Sequence, residues 1–548
     1  MNIARTVLIL STLLPTFGLC QQLEPQVDKV YTVKENAPGY SIIIAKGETI
    51  LFEKQYGVSN LDYNVPITSE TVFDIGSVAK QFTAYAILLL EDQGKLSIKE
   101  PAYKYIDNLP RYKKGNPTIE HLLNQTSGIK EVDGIAGIAD YGRSDLLTQS
   151  QMMNFITKTN SLNFKPGAYF QYTNSNYILL AEIIAKASEK PFATFMQEAV
   201  FKPFGMKHTI KKTSTYSIIK NRAIGYIEDE GDYYKTHLHS FIYDGDGQIL
   251  TTAKDMFKWH LGLQNIKNKC PELYKKMHTR ATLNNGSILD YGLGVEFETH
   301  ANYEAVGFDG MILGGFVSKY LYFPEVDMMF FTTQNTFDSD FEEQFFQLVD
   351  LYLPNTTSNN ETKTSTQHKT IHLSEKELQQ YEGNYLFKGS DIETIKANTI
   401  QLKNNELAVL TTDGEEITRL KPIGNHQFMF NDKLVVFELK PDGKSYSYFN
   451  SKNEVPWLFN EYSPTTYNET QLRAFEGHYF NADFQISKKV VYKDDTLFVY
   501  GRNGAWKYEI EPLYKDTFEY SSDLLTFVRD DTKNIIGLKI LGIVFDKI

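Results

Sequence analysis

Four apolar runs rich in β-branched and aromatic residues bracket a long middle region. Tyr40 to Ala45 and Ile50 to Tyr56 read as strands turned by Lys46-Gly47. Phe316 to Phe323 and Met328 to Thr333 read as a second strand pair, joined by Pro324-Glu325-Val326-Asp327. A helix is predicted from about 339 to 352. The middle region carries helical spacing instead: Phe82, Tyr85, Ala86, Leu89 and Leu90 recur on one face and stop near Gly94. A second helix is predicted from about Tyr177 to Ser188. The two ends can therefore share one antiparallel sheet with helical matter inserted between them. The expectation is an α+β fold, a sheet flanked by helices with a helical subdomain and a cleft where the two meet.

After Leu353 the pattern changes. Residues 354–370 hold Asn, Thr, Ser, Glu and Lys with almost nothing apolar, which is linker composition. Short strand-like runs then continue to the end, and they repeat. Leu378 to Tyr385 matches Leu472 to Tyr479, Tyr381 recurring as Phe475. Leu407, Pro422, Phe428, Leu434 and Phe437 recur 90 residues on as Leu497, Pro512, Phe518, Leu524 and Phe527. The domains expected are 24–353, the linker 354–370, and an all-β region 371–548 of two copies, about 371–463 and 464–548. The favoured picture is two half-sheets closing one barrel or sandwich; two independent small β domains are the alternative. No reactive residue occurs in both copies, so this region reads as structural or substrate-gating.

The N-terminus adds a destination. Arg5 precedes a short apolar run, Val7 to Leu14, followed by Pro15, Gly18 and Cys20. That is the pattern of a secretory signal peptide over residues 1–20, so an exported protein, periplasmic or extracellular, is expected. A lipoprotein signal with Cys20 acylated is the rival, and Leu19 fits it poorly. No later stretch is long and apolar enough to predict a membrane span. With 42% apolar and 23% charged residues the chain is globular in composition, and its net charge of -12 argues against nucleic acid as a partner. Cys20 and Cys270 are the only cysteines, so loss of the signal leaves no pair for a disulfide. His237-Leu238-His239 lacks further ligands at suitable spacing, and neither metal nor cofactor is expected.

Chemistry concentrates at a serine followed three residues later by lysine. Ser77/Lys80, Ser127/Lys130 and Ser217/Lys220 all fit. Only Ser77 follows a glycine and opens an apolar helical stretch. There, a spacing of three puts Lys80 on the same face, and a helix N-terminus favours negative charge developing on the serine. A serine needs a base, and burial lowers a lysine's pKa enough to make it one. Ser127 reads as part of a turn, and Ser217 sits in a polar stretch. Tyr172-Thr173-Asn174 forms a loop before the second helix. In extended backbone Tyr172 and Asn174 face the same way, giving a phenol for proton transfer and an amide donor.

In their order, these segments resemble the serine β-lactamase-related hydrolases: class C β-lactamases, D-alanyl-D-alanine carboxypeptidases and other penicillin-binding proteins, D-aminopeptidases and related esterases. Thr71 to Ala84 resembles the first motif, Ile119 to Gly128 a structural turn, and Pro166-Gly167 to Tyr177 the second motif. Pro203 to Met206 and Gly245-Asp246-Gly247-Gln248 through Trp259 fit later landmarks. The resemblance implies an acyl-enzyme on Ser77, with Lys80 and Tyr172 as its proton-handling residues and Asn174 as a substrate-positioning donor. It also implies backbone N–H groups at Ser77 and near Ile312 for the oxyanion. The third motif departs from the family. Where a cation, a small residue and glycine are usual, the chain has Asp309-Gly310-Met311 or, one residue earlier, Phe308-Asp309-Gly310. Neither frame supplies a cation, and Asp309 is expected to repel a carboxylate and raise the Tyr172 pKa. The implied activity is hydrolysis of an amide, peptide or ester, on a small-molecule or peptide substrate. An inactive penicillin-binding-like protein that binds cell-wall peptides or acts as a sensor is the alternative.

Overall fold

The computed structural model describes residues 23–142, 145–236, 241–312, 314–337, 340–353, 370–387, 397–412, 414–430, 433–441, 443–449, 457–521 and 523–548. The signal segment 1–20, linker residues 354–369 and His237 to His239 lie outside the described residues. Six strands form the main sheet: β1 (Tyr40–Lys46), β2 (Thr49–Tyr56), β3 (Glu296–His300), β4 (Tyr303–Ile312), β5 (Phe316–Phe323) and β6 (Met328–Gln334). Their order is β3-β4-β5-β6-β1-β2, all antiparallel, so the two ends of the domain meet where β1 pairs β6.

Both faces of this sheet are covered, which explains why β1 reads as continuously apolar rather than alternating. Ile42 and Ile44 face one core with Phe341, Phe345 and Leu348 of the helix Phe341–Tyr352. Ile43 and Ala45 face the other, shared with the helical insertion. That insertion includes α1 (Lys80–Asp92), α2 (Asn174–Ser188) and α3 (Ala253–Lys269). Trp259 of α3 is fully buried and packs on Phe82 of α1, with ring centroids 4.4 Å apart. This contact fixes α1 against the sheet and so fixes the turn that precedes it. Among the described residues no helix is long and apolar enough to cross a membrane.

The C-terminal region corrects one expectation. Each repeat closes its own eight-stranded barrel, rather than the two closing one together. In the first, the opening strand Gly383–Phe387 pairs the last, Trp457–Tyr462. In the second, Gly477–Asn481 pairs Ile543–Lys547. Closure satisfies every edge within one copy, so neither barrel offers a strand to the other. The repeated motif has the same local task twice. Tyr385 Oη donates to the Tyr381 carbonyl at 2.8 Å, and Tyr479 Oη to the Phe475 carbonyl at 2.6 Å.

The second barrel packs on the helical insertion, and its core is continuous with that domain's. Lys488, fully buried, forms an ion pair with Asp140, which also accepts from the Arg502 backbone N–H at 2.7 Å. Asp145 accepts twice from the exposed Arg502 guanidinium, at 2.7 and 2.8 Å. Removing one partner of a buried pair strands the other charge. Asp140→Ala is therefore expected to lower unfolding free energy by about 3–5 kcal/mol in urea titration. Asp145→Ala, whose partner is solvated, should change it little.

Candidate active site

Gly76 begins a short 3-10 turn, Gly76–Ala79, that runs directly into α1. Its φ of +53° lies in the left-handed region, which glycine enters without strain. The turn and helix together place Ser77 and Lys80 on one side: Lys80 Nζ donates to Ser77 Oγ at 3.0 Å. The same ammonium nitrogen contacts Asn174 Oδ1 at 2.9 Å and the Asp246 carbonyl at 3.1 Å. Tyr172 Oη lies 2.7 Å from Ser77 Oγ. The structure thus brings Ser77, Lys80, Tyr172 and Asn174 into one cluster. α2 starts at Asn174, three residues earlier than the apolar spacing suggested, because Thr173 caps it by accepting from the Ser175 N–H.

The loop carrying Tyr172 is held from below. Gln125 is fully buried at φ +60°, and its side-chain oxygen accepts from Asn176 Nδ2 at 2.6 Å and the Thr173 N–H at 3.2 Å. Its own carbonyl accepts from the Gln171 N–H at 2.9 Å. The second Ser/Lys pair has a structural task here. Ser127 is buried and donates to Asn176 Oδ1 at 2.6 Å, while Lys130 contacts Asn163 Oδ1 at 2.6 Å.

β4 supplies the opposite wall. It pairs β3 only as far as Gly307, so beyond that residue its free edge lies against the Ser77 turn. A Cβ on Gly310 would stand 2.1 Å from the Ile75 carbonyl and 2.9 Å from the Ser77 nitrogen. Only glycine permits that approach, which fits the frame Phe308-Asp309-Gly310. Along β4, Tyr303 and Ala305 face the core under the helix Phe341–Tyr352, whereas Val306 and Phe308 face the insertion. Period two then puts Phe308 on the site side and turns Asp309 away. Asp309 stands opposite Lys319, which pairs Glu298 on that far face. Ile312 packs with Ile67, Phe73 and Phe316. The edge-strand nitrogen against the turn belongs to Met311, 3.0 Å from where a Gly76 Cβ would be.

The Phe308 ring is 6.3 Å from that of Tyr172 and 5.9 Å from that of Tyr291. Phe170 adds to this wall, 5.2 Å from Tyr291. Phe170 and Tyr172 remain 36% and 37% exposed, so the aromatic wall is open to a ligand.

Electrostatically the site is acidic beneath and apolar beside the serine. Burial lowers the Lys80 pKa from its ordinary value, opposed by Asp246, Glu131 and Asp133. Burial also pushes Glu131 and Asp246 up to about 7 and Glu296 to about 8. Near neutrality these carboxyls hold much of their protons, which limits the charge they place around Lys80. The Tyr172 phenol is raised well above its usual value by the surrounding protein, and next by Glu296 and Asp246 among the charged groups. Asp309, expected to act on Tyr172, acts instead on Glu296. Asn174 is engaged on both sides, its Oδ1 with Lys80 and its Nδ2 with Asp133 at 3.1 Å. Glu131, Asp133 and Glu296 had no signal in the sequence; Asp246 lay in a recognised landmark with no role assigned.

The sheet, the helical insertion and a Ser–Lys pair opposite a Tyr–Asn pair define the β-lactamase and penicillin-binding-protein class of fold. The chain belongs to the Beta-lactamase family, whose model matches residues 21–352. It is 28% identical over 269 residues to Penicillin-binding protein 4* of Bacillus subtilis, covering 46% of this chain and 58% of that one. To the D-aminopeptidase of Gluconobacter oxydans it is 24% identical over 260 residues, covering 47% and 48%. The chain thus spans about half the length of these relatives. Among solved structures, the octameric penicillin-binding protein homologue from Pyrococcus abyssi superposes over 89% of this chain and 99% of its own, with a TM-score of 0.52 and 19% identity.

Proposed function

We propose that the chain is a serine hydrolase that cleaves an amide, peptide or ester through an acyl-enzyme on Ser77. The observation that carries this is Ser77 Oγ held between Lys80 Nζ and Tyr172 Oη. Lys80, its pKa lowered by burial, takes the hydroxyl proton as Oγ attacks the carbonyl carbon. The oxyanion rests on the backbone N–H groups of Ser77 and Met311. Tyr172, whose raised pKa keeps it protonated, gives its proton to the leaving group and regains one from the Lys80 ammonium. Water then attacks the acyl carbon and releases the acid and Ser77. Asn174 orients Lys80 rather than serving chiefly as a substrate donor. Export to the periplasm or the exterior belongs to this proposal through the N-terminal pattern, Arg5 followed by Val7 to Leu14.

The aromatic wall directs the choice of substrate. With Phe308 where a carboxylate-binding cation is usual, the substrate offers an apolar or aromatic group there. A carboxylate in that place would lose water without gaining a partner. The test compares an aromatic amino-acid amide with a dipeptide bearing a free C-terminal carboxylate. The amide is expected to have at least about tenfold higher kcat/KM, and Phe308→Lys should narrow or invert that ratio. A carboxylate-bearing substrate preferred by the wild type would overturn this choice.

A further inference from the structure

The two barrels differ at equivalent positions, and the difference points to a second binding site. In the second barrel, Lys488, Gly501 and Tyr520 lie at the end that receives Asp140 of the helical insertion. Lys488 pairs with Asp140, Gly501 has no Cβ to block the Asp140 carboxylate, and Asp140 acts on the Tyr520 phenol. That end is filled by the chain's own acidic side chain. Ninety residues earlier, the first barrel has Asn398, Thr411 and Phe430 at these positions. There, a cavity of about 440 Å³ is lined, among the described residues, by Asn398, Thr411 and Phe430 together with Tyr446, Tyr448 and Trp457.

Its volume falls within the range of small-molecule pockets. Among the described residues, none that lines it is charged. The change from Lys488 to Asn398 removes the cation that balances Asp140, so this pocket does not suit an anion. Asn398 is buried, its Nδ2 donates to Tyr446 Oη at 2.7 Å, and its Oδ1 has no hydrogen-bond partner. A buried acceptor of this kind is costly unless something donates to it. Tyr446 stacks on Phe459 with centroids 4.5 Å apart, giving flat aromatic surface beside that oxygen. We propose that the first barrel binds a neutral, largely apolar small molecule carrying one hydrogen-bond donor, which it presents to Asn398.

The probe is N-phenyl-1-naphthylamine, a neutral diaryl amine with a single N–H, titrated into the full chain. Saturable one-to-one binding is expected, with excitation transfer from tryptophan that drops sharply in Trp457→Phe while the dye still binds. Val409→Phe, which fills the cavity, should weaken binding at least tenfold, and Asn398→Leu roughly fivefold. The anionic analogue, bearing a sulfonate on the same rings, should bind at least tenfold more weakly. Thermal unfolding matching the wild type qualifies each variant as folded. Should the cavity-filling variant not fold, the Trp457→Phe transfer measurement decides. Non-saturable binding, transfer undiminished in Trp457→Phe, or affinity unchanged in folded Val409→Phe would overturn the proposal. Equal affinity for the sulfonated analogue would overturn the requirement for neutrality.

Discussion

Replacing Ser77 by alanine is expected to reduce kcat/KM on an amide substrate by a factor on the order of 10⁴–10⁶, with unfolding behaviour unchanged. The size follows from what the hydroxyl alone supplies. Lys80 and Tyr172 both converge on Ser77 Oγ, at 3.0 and 2.7 Å, so without it Lys80 has no hydroxyl proton to take and no acyl-enzyme forms. The deletion leaves little strain behind, because Lys80 Nζ keeps Asn174 Oδ1 and the Asp246 carbonyl as acceptors. A loss confined to turnover is therefore the expected pattern. A loss accompanied by lowered stability would assign the serine a structural part as well.

The second large effect separates the two proton-handling residues. Lys80→Arg keeps a cation in place but removes a group able to lose its proton, so activity should fall about 10³-fold or more. In the wild type, kcat/KM should rise with pH as the Lys80 ammonium gives up its proton. The direction follows from the role: the base works only when neutral, and burial moves that titration below the ordinary lysine value. Tyr172→Phe should behave differently. If the phenol protonates the leaving group, the variant loses about 10²–10⁴-fold on an amide. It should lose far less on a p-nitrophenyl ester, whose leaving group departs without a proton. Equal losses on both substrates would reassign Tyr172 to activation of the serine.

What the sequence disclosed and what it withheld follow from the range of the interactions. Ser77 and Lys80 were legible because three residues on one helix are neighbours by local geometry. Tyr172 and Asn174 were legible because a period of two acts within one loop. Glu131, Asp133 and Glu296 were not, because separate segments bring them within reach of Lys80 and no local period marks them. Asp309 shows what spacing alone leaves open, since both third-motif frames fit the sequence. The approach of Gly310 to the Ser77 nitrogen and the alternation of core residues along β4 together put Phe308 on the site side and turn Asp309 away. The barrels give the same lesson at larger scale. The repeat was visible, but closure depends on Gly383–Phe387 pairing with Trp457–Tyr462, a contact that crosses the whole copy.

These predictions rest on a covalent intermediate at Ser77. Its most direct test is rapid-quench mass spectrometry of the wild-type chain during turnover of a p-nitrophenyl ester, followed by peptide mapping. The expected result is one acyl group per chain, attached to Ser77 in the peptide spanning Gly76 to Lys80 and absent in Ser77→Ala. Turnover with no acyl adduct, or an adduct mapped to any other residue, would contradict it.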